Sequence, residues 1–166
     1  MTPETALSKK YSDLAVFRQT FLEEAWDAAE LTLPFILPRN ATYNQTLPTP
    51  YQGVGARGIN NLTAKLLLTL FPPNSPFFKF QIDDFTLEEL QAQRAPVEEG
   101  LNSMERAVMD EIEGKAMRVP LNECIRHLLI TGNALLHADK NNAIRVFHLD
   151  QYVVRRDPQG VVLEIV

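Results

Sequence analysis

Cys124 and His127 stand three residues apart, with His137 and His148 further along the chain. A thiol beside imidazoles could supply a nucleophile and its base, or the beginnings of a metal site. Either needs an orienting carboxylate or further ligands at a suitable spacing, and no C-x-x-C or H-E-x-x-H pattern occurs. Cys124 instead falls on one helical face with Leu121, Ile125 and Leu128, where a thiol packs as a small hydrophobe. Gly53-Val54-Gly55-Ala56-Arg57-Gly58 spells G-x-G-x-x-G at the start of a helix, which in a dinucleotide fold holds pyrophosphate on free amides. That fold requires a buried strand directly before the first glycine. Leu47-Pro48-Thr49-Pro50-Tyr51-Gln52 cannot be a central strand, because each proline removes a ladder donor. The glycines therefore read as close packing at a helix start, and no catalytic residue, cofactor or metal is expected.

The charged residues point the same way. The formal charge is −5, and it is uneven. Residues 83–113 carry 10 acidic and 2 basic side chains, whereas 114–166 carry 5 and 7. The acids follow a helical apolar stripe without a D-x-D-x-D-G loop, so they form a solvated helix face and repel DNA. Arg57 with Lys65, and Arg155 with Arg156, are the basic features worth naming. Two such pairs suit surface or subunit salt bridges better than a nucleic-acid groove, so weak, salt-sensitive duplex binding at most is expected. One cysteine fits a reducing compartment and excludes an internal disulfide. No apolar run approaches a membrane span.

The elements that position these residues follow from periodicity. A first helix opens at Thr2-Pro3-Glu4 and ends at Pro34, with Leu7, Tyr11, Leu14, Phe17, Phe21, Ala25, Ala28 and Leu31 as its apolar stripe. Residues 34–52, rich in proline, form a long loop. A second helix covers 54–71 with Ile59, Leu62, Leu66, Leu67 and Leu70 facing the core, and Pro72-Pro73 stops it. Residues 78–82 alternate and read as a strand. Phe77-Phe78 read as core. Thr86 and Glu89 make a capping box opening an acidic helix that resumes through Leu101, Met104, Val108 and Ile112. Another helix runs from about 120 to Gly132. Strands are expected at 134–138, 144–149, 152–155 and 161–166, the last two joined by a type I turn at Asp157-Pro158-Gln159-Gly160. The fold class is α+β: a mainly helical part, 1–132, then a small antiparallel β-meander, 133–166.

The order of these motifs resembles the portal (head-to-tail connector) family of short-tailed bacteriophages. The resemblance rests on Tyr51-Gln52-Gly53-Val54-Gly55-Ala56-Arg57-Gly58-Ile59-Asn60-Asn61-Leu62, then Lys65-Leu66 and Leu70-Phe71-Pro72. It continues through Glu99-Gly100-Leu101, Met104-Glu105-Arg106 and Gly132-Asn133-Ala134-Leu135-Leu136 to Tyr152-Val153-Val154-Arg155-Arg156-Asp157 and Gly160. What the resemblance implies is a non-enzymatic ring, normally of twelve subunits, at one capsid vertex of the virion. Genomic DNA passes through its channel, and the ring is the assembly platform for terminase, scaffold, capsid and tail proteins in the host cytoplasm. The matching part is the N-terminal, wing-like portion; stem, channel loop and crown would lie further along, so the chain is expected to be truncated. A free-standing portal-derived interaction module, or an assembly regulator, is the second reading.

Arg57, Lys65, Arg155, Arg156, Val162 and Ile165 are the expected subunit or partner contacts. Val162 and Ile165 lie in an apolar strand with one charge and no lysine or proline to discourage edge pairing. That edge is expected to be covered by another copy or a partner.

Overall fold

The computed structural model of the chain describes residues 3–39, 46–73, 75–82, 94–140 and 143–166, and among these four helices precede four short strands. The helices are α1, Pro3–Leu31; α2, Val54–Leu70; α3, Arg94–Gly114; and α4, Arg118–Thr131. The strands are β1, Leu135–Ala138; β2, Ile144–Phe147; β3, Val154–Arg156; and β4, Val162–Ile165, with a 3-10 turn at Leu149–Gln151 between β2 and β3. The α+β class and the helices-then-strands order expected from the sequence stand.

The β part is two separate antiparallel pairs, β1 with β2 and β3 with β4. The 3-10 turn divides them. Leu149, Tyr152 and Val153 around that turn are buried, so the chain dives into the core between the hairpins instead of continuing along a sheet. The β3–β4 turn forms at the expected residues. Gly160 N–H donates to Asp157 O at 3.0 Å, and the Asp157 carboxylate accepts the amides of Gln159 and Val161 at 3.0 and 2.8 Å. Gly160 sits at φ 88°, in the left-handed region.

The core gathers Leu22, Ala25 and Ala29 of α1 with Leu33, Ile36 and Leu37 of the turn after it, and with Ile130, Leu149 and Tyr152. Trp26, Ala56, Ile59, Leu135, Phe147 and Val154 pack around them. α4 is the hub, packing on α1, α2 and β2. It ends at Gly132 with φ 69° and an N–H···O bond back to Leu128, a left-handed C-cap.

Four expectations need correction. The inward stripe of α1 is Arg18, Leu22, Ala25 and Ala29; Phe17, Phe21 and Leu31 are exposed. Two alanines let α1 approach its neighbours closely, and Arg18 is drawn inward by backbone carbonyls, so the face is set by small and polar residues. On α2 the most buried residue is Thr63, while Leu62 and Leu70 are exposed. Residues 78–82 form no strand. Phe71, Phe77, Phe78 and Phe80 instead make a chain of edge-to-face contacts with ring centroids 5.0, 5.3 and 5.4 Å apart. Phe80 N–H donates to the Glu105 carboxylate at 2.7 Å, which takes the place of a ladder bond. Phe77 and Phe80 remain partly exposed, so this is a surface cluster and not the core. Thr86, Glu89 and most of the 34–52 loop's centre, 40–45, lie outside the described residues.

Candidate functional site

Arg18 is the residue around which the most elaborate surface of the protein is built. It projects from the middle of α1 and donates to Leu149 O at 2.8 Å and to Tyr152 O. Those carbonyls belong to the first residue of the 3-10 turn and to the residue just after it, outside the strands, and one guanidinium serves both. Tyr11, two turns earlier on α1, donates its hydroxyl to Asp150 O at 3.1 Å, and Lys10 pairs with Glu164 of β4 at 2.5 Å. α1 thus holds the 3-10 turn through Arg18 and Tyr11 and the β3–β4 hairpin through Lys10, three side chains on one face.

Between α1 and β3 lies a groove of about 570 Å³. Leu14, Phe17 and Phe21 of α1 form one wall, and Tyr152, Val154, Arg155 and Arg156 form the other. Every charged residue lining it is an arginine. Phe17 is 85% exposed, an unusual state for a phenylalanine on a helix that buries its opposite face. Arg156 donates to Gly160 O at 3.1 Å and reaches Asn133 at 3.4 Å, which holds it over the groove mouth. Burial pushes the Tyr152 hydroxyl up from its ordinary value, against the opposing pull of Arg18 and Arg156, so the tyrosine stays neutral at physiological pH.

Of the six expected contact residues, the structure brings four together on this hairpin. Arg155 and Arg156 line the groove, Val162 pairs opposite Arg156, and Ile165 pairs opposite Val154. Val162 and Ile165 are 45% and 50% exposed, and Val161 and Leu163 beside them are exposed as well. Arg57 and Lys65 belong to α2, both exposed; Arg57 makes only a long 3.4 Å bond to Gly53 O. Arg18, Phe17, Lys10 and Tyr11 were missed by sequence reasoning. The available signal was a cation at the i, i+4 and i+7 spacing from Leu22 and Ala25 on a helix face that must be buried.

The residues with chemical potential are placed for packing. Gly55 lets α2 touch the end of α1: a Cβ there would come within 2.7 Å of Leu31 O and 3.1 Å of Thr32 Cγ2. A Cβ at Gly53 or Gly58 would meet nothing. Residues 46–52 before them have no regular structure, so the strand a dinucleotide fold needs is missing. His127 is 1% exposed and packs edge to face on His148 with centroids 5.0 Å apart. Burial, reinforced by His148, lowers its pKa to about 4, so it is neutral at pH 7. Burial raises the Cys124 pKa, which keeps the thiol protonated and unreactive. Among the described residues no group of three or more His, Cys, Asp or Glu is placed to hold a metal, and no helix is long and apolar enough to cross a membrane.

A family model for bacteriophage head to tail connecting proteins matches residues 4–166. The portal protein of Enterobacteria phage T3 is 37% identical across 98% of this chain and 32% of its own length. That of Escherichia phage T7 is 34% identical over the same shares, and that of Enterobacteria phage SP6 is 28% identical over 96% of this chain. The chain spans 32% of the length of these curated relatives.

Proposed function

The chain belongs to the bacteriophage head-to-tail connecting family, and we propose that it acts there as a structural subunit of the portal ring at the capsid vertex. In this reading it contributes the outer, wing-like part of a dodecameric ring. That ring is the channel assembly for genome packaging and ejection and joins head to tail. Capsid, scaffold, tail and terminase proteins are its partners, and assembly takes place in the host cytoplasm. It acts by packing and performs no chemistry of its own: the glycine-rich turn, the buried His127 and the protonated Cys124 each serve the fold.

The observation that supports this best is the α1–β3–β4 surface. An apolar groove rimmed by arginines adjoins a strand whose apolar side chains all face outward. A monomer rarely exposes such a patch, and a protein that must meet copies of itself needs one. Arg155, Arg156, Val162 and Ile165 are the contact residues in this account, with Arg57 and Lys65 in a lesser role on α2. Passage of genomic DNA belongs to the assembled ring. The acidic balance of 83–113 keeps this part of the chain from holding duplex directly.

Electron microscopy of the purified chain tests the proposal. Closed rings of uniform diameter are the expected result. Particles no larger than a monomer or dimer would contradict it and favour the alternative, a portal-derived interaction module that regulates assembly.

A further inference from the structure

We propose that the cavity between α4, the last turn of α2 and His148 binds a small monocarboxylate with an apolar body. The carboxylate sits on Arg126 and His127, and the body lies against Phe35, Ile36 and Leu67. The inference goes beyond the ring reading and does not depend on it.

The cavity holds about 500 Å³, within the size range of small-molecule sites. Two neighbouring rows of α4 side chains form one wall. Arg118, Asn122 and Arg126 follow at four-residue steps, and Val119, Glu123 and His127 run beside them. Phe35 and Ile36 from the turn after α1, Leu67 of α2 and His148 after β2 complete the lining.

The polar groups of this wall are left without partners. His127 is 1% exposed, and neither of its ring nitrogens has a hydrogen-bond partner. Neutral at pH 7, it carries one N–H donor and one lone pair, both unused. Arg126 is half-buried; its Nε is buried and unpartnered, and it forms no ion pair among the described residues. Asn122 Oδ1, one turn earlier, is buried and unpartnered as well. Buried polar groups are nearly always paired, so three orphans lining one cavity point to an occupant.

The chemistry of the donors selects it. Arg118 already donates to the carbonyls of Phe71 and Pro72, and Glu123 is exposed. Arg126 is therefore the cation with a guanidinium edge to offer, and that edge matches a carboxylate through two parallel bonds. The His127 N–H beside it supplies a further donor. A metal ion fits badly: a guanidinium repels it, and His148 already accepts the Gln151 amide. Phe35 and Val119 are 51% and 70% exposed at the cavity. An apolar body covers such surface, whereas inorganic phosphate would leave it wet.

Equilibrium dialysis of the 166-residue chain against labelled phenylacetate tests this in any state of assembly. The expected result is saturable binding of one molecule per chain, with phenylacetamide and inorganic phosphate each binding about tenfold or more weaker. Arg126→Gln should weaken phenylacetate by about fivefold or more and leave phenylacetamide unchanged, a split that a merely structural role would not give. Arg126→Lys keeps the charge but loses the fork and should weaken it less. Melting curves check that each variant is folded, and the lysine variant carries the test where the glutamine variant does not fold. No saturable uptake up to about 10 mM acid would overturn the site. Uptake that both Arg126 variants leave intact would place the acid elsewhere and overturn it too. Phenylacetamide binding as tightly as the acid would overturn the carboxylate assignment, and phosphate binding as tightly would overturn the apolar body.

Discussion

Gly55 is the glycine that the packing of α2 on α1 requires, because a side chain there collides with the backbone of Leu31. Gly55→Ala should destabilise the fold by about 1–3 kcal/mol through overpacking. Gly58→Ala meets open space inside a helix and should instead add about 0.5–1 kcal/mol. Thermal melts of the two variants check the contrast, and equal shifts would refute it. His127 gives a pH signature. Its pKa in the fold is about 4 against an ordinary 6.5, so between these values the unfolded chain binds more protons. Stability is therefore complete above about pH 6.5 and declines as pH falls toward 4, by as much as about 3 kcal/mol from this residue. Denaturation curves across that window should show the slope, and His127→Met should flatten it. The prolines before the literal G-x-G-x-x-G already argue against a preceding strand, yet which glycine packs closely is invisible in the sequence, because that depends on where the end of α1 arrives.

At the scale of elements, Arg18 fastens α1 to the 3-10 turn. Arg18→Ala should strand the carbonyls of Leu149 and Tyr152 and cost about 2–4 kcal/mol, with the β3–β4 hairpin opening before the rest in hydrogen exchange. Uniform protection across the chain would contradict that role. On β4, Val162→Lys or Ile165→Lys should raise solubility of the free chain where the side chain faces water, and weaken assembly where it meets a neighbour. Light scattering at rising concentration reads both effects; no change in either would remove the strand from the contact surface. Periodicity located α1, α2, α4 and the Asp157 turn well, since each has its own punctuation in proline, glycine or aspartate. It misjudged the faces of α1 and α2. Of the expected stripe on α1, Ala25 is buried but Phe17, Phe21 and Leu31 are exposed, and Ala29 and Thr63 are buried because they allow the closest approach. Residues 78–82 alternate like a strand, but Glu105 and the neighbouring phenylalanines claimed their polar and apolar groups first.

Among the described residues, a small core around Ala29, Leu37 and Tyr152 leaves exposed the arginine-rimmed groove beside an apolar strand, and Met104 and Val108 of α3. Arg155, Arg156, Val162 and Ile165 stand out in the sequence because paired cations and an uninterrupted apolar strand carry local signatures, and the structure places them on one hairpin, where we propose that they make contacts. The groove was not, since it exists only when α1 and β3, distant in sequence, come together. The central claim is that this chain works by associating with copies of itself. Sedimentation velocity of the 166-residue chain over a rising concentration series, at physiological salt, measures it most directly. The account predicts growth from the 18.8 kDa monomer to a discrete closed assembly, with twelve subunits as the limiting size. A single 18.8 kDa species persisting to the solubility limit would contradict it.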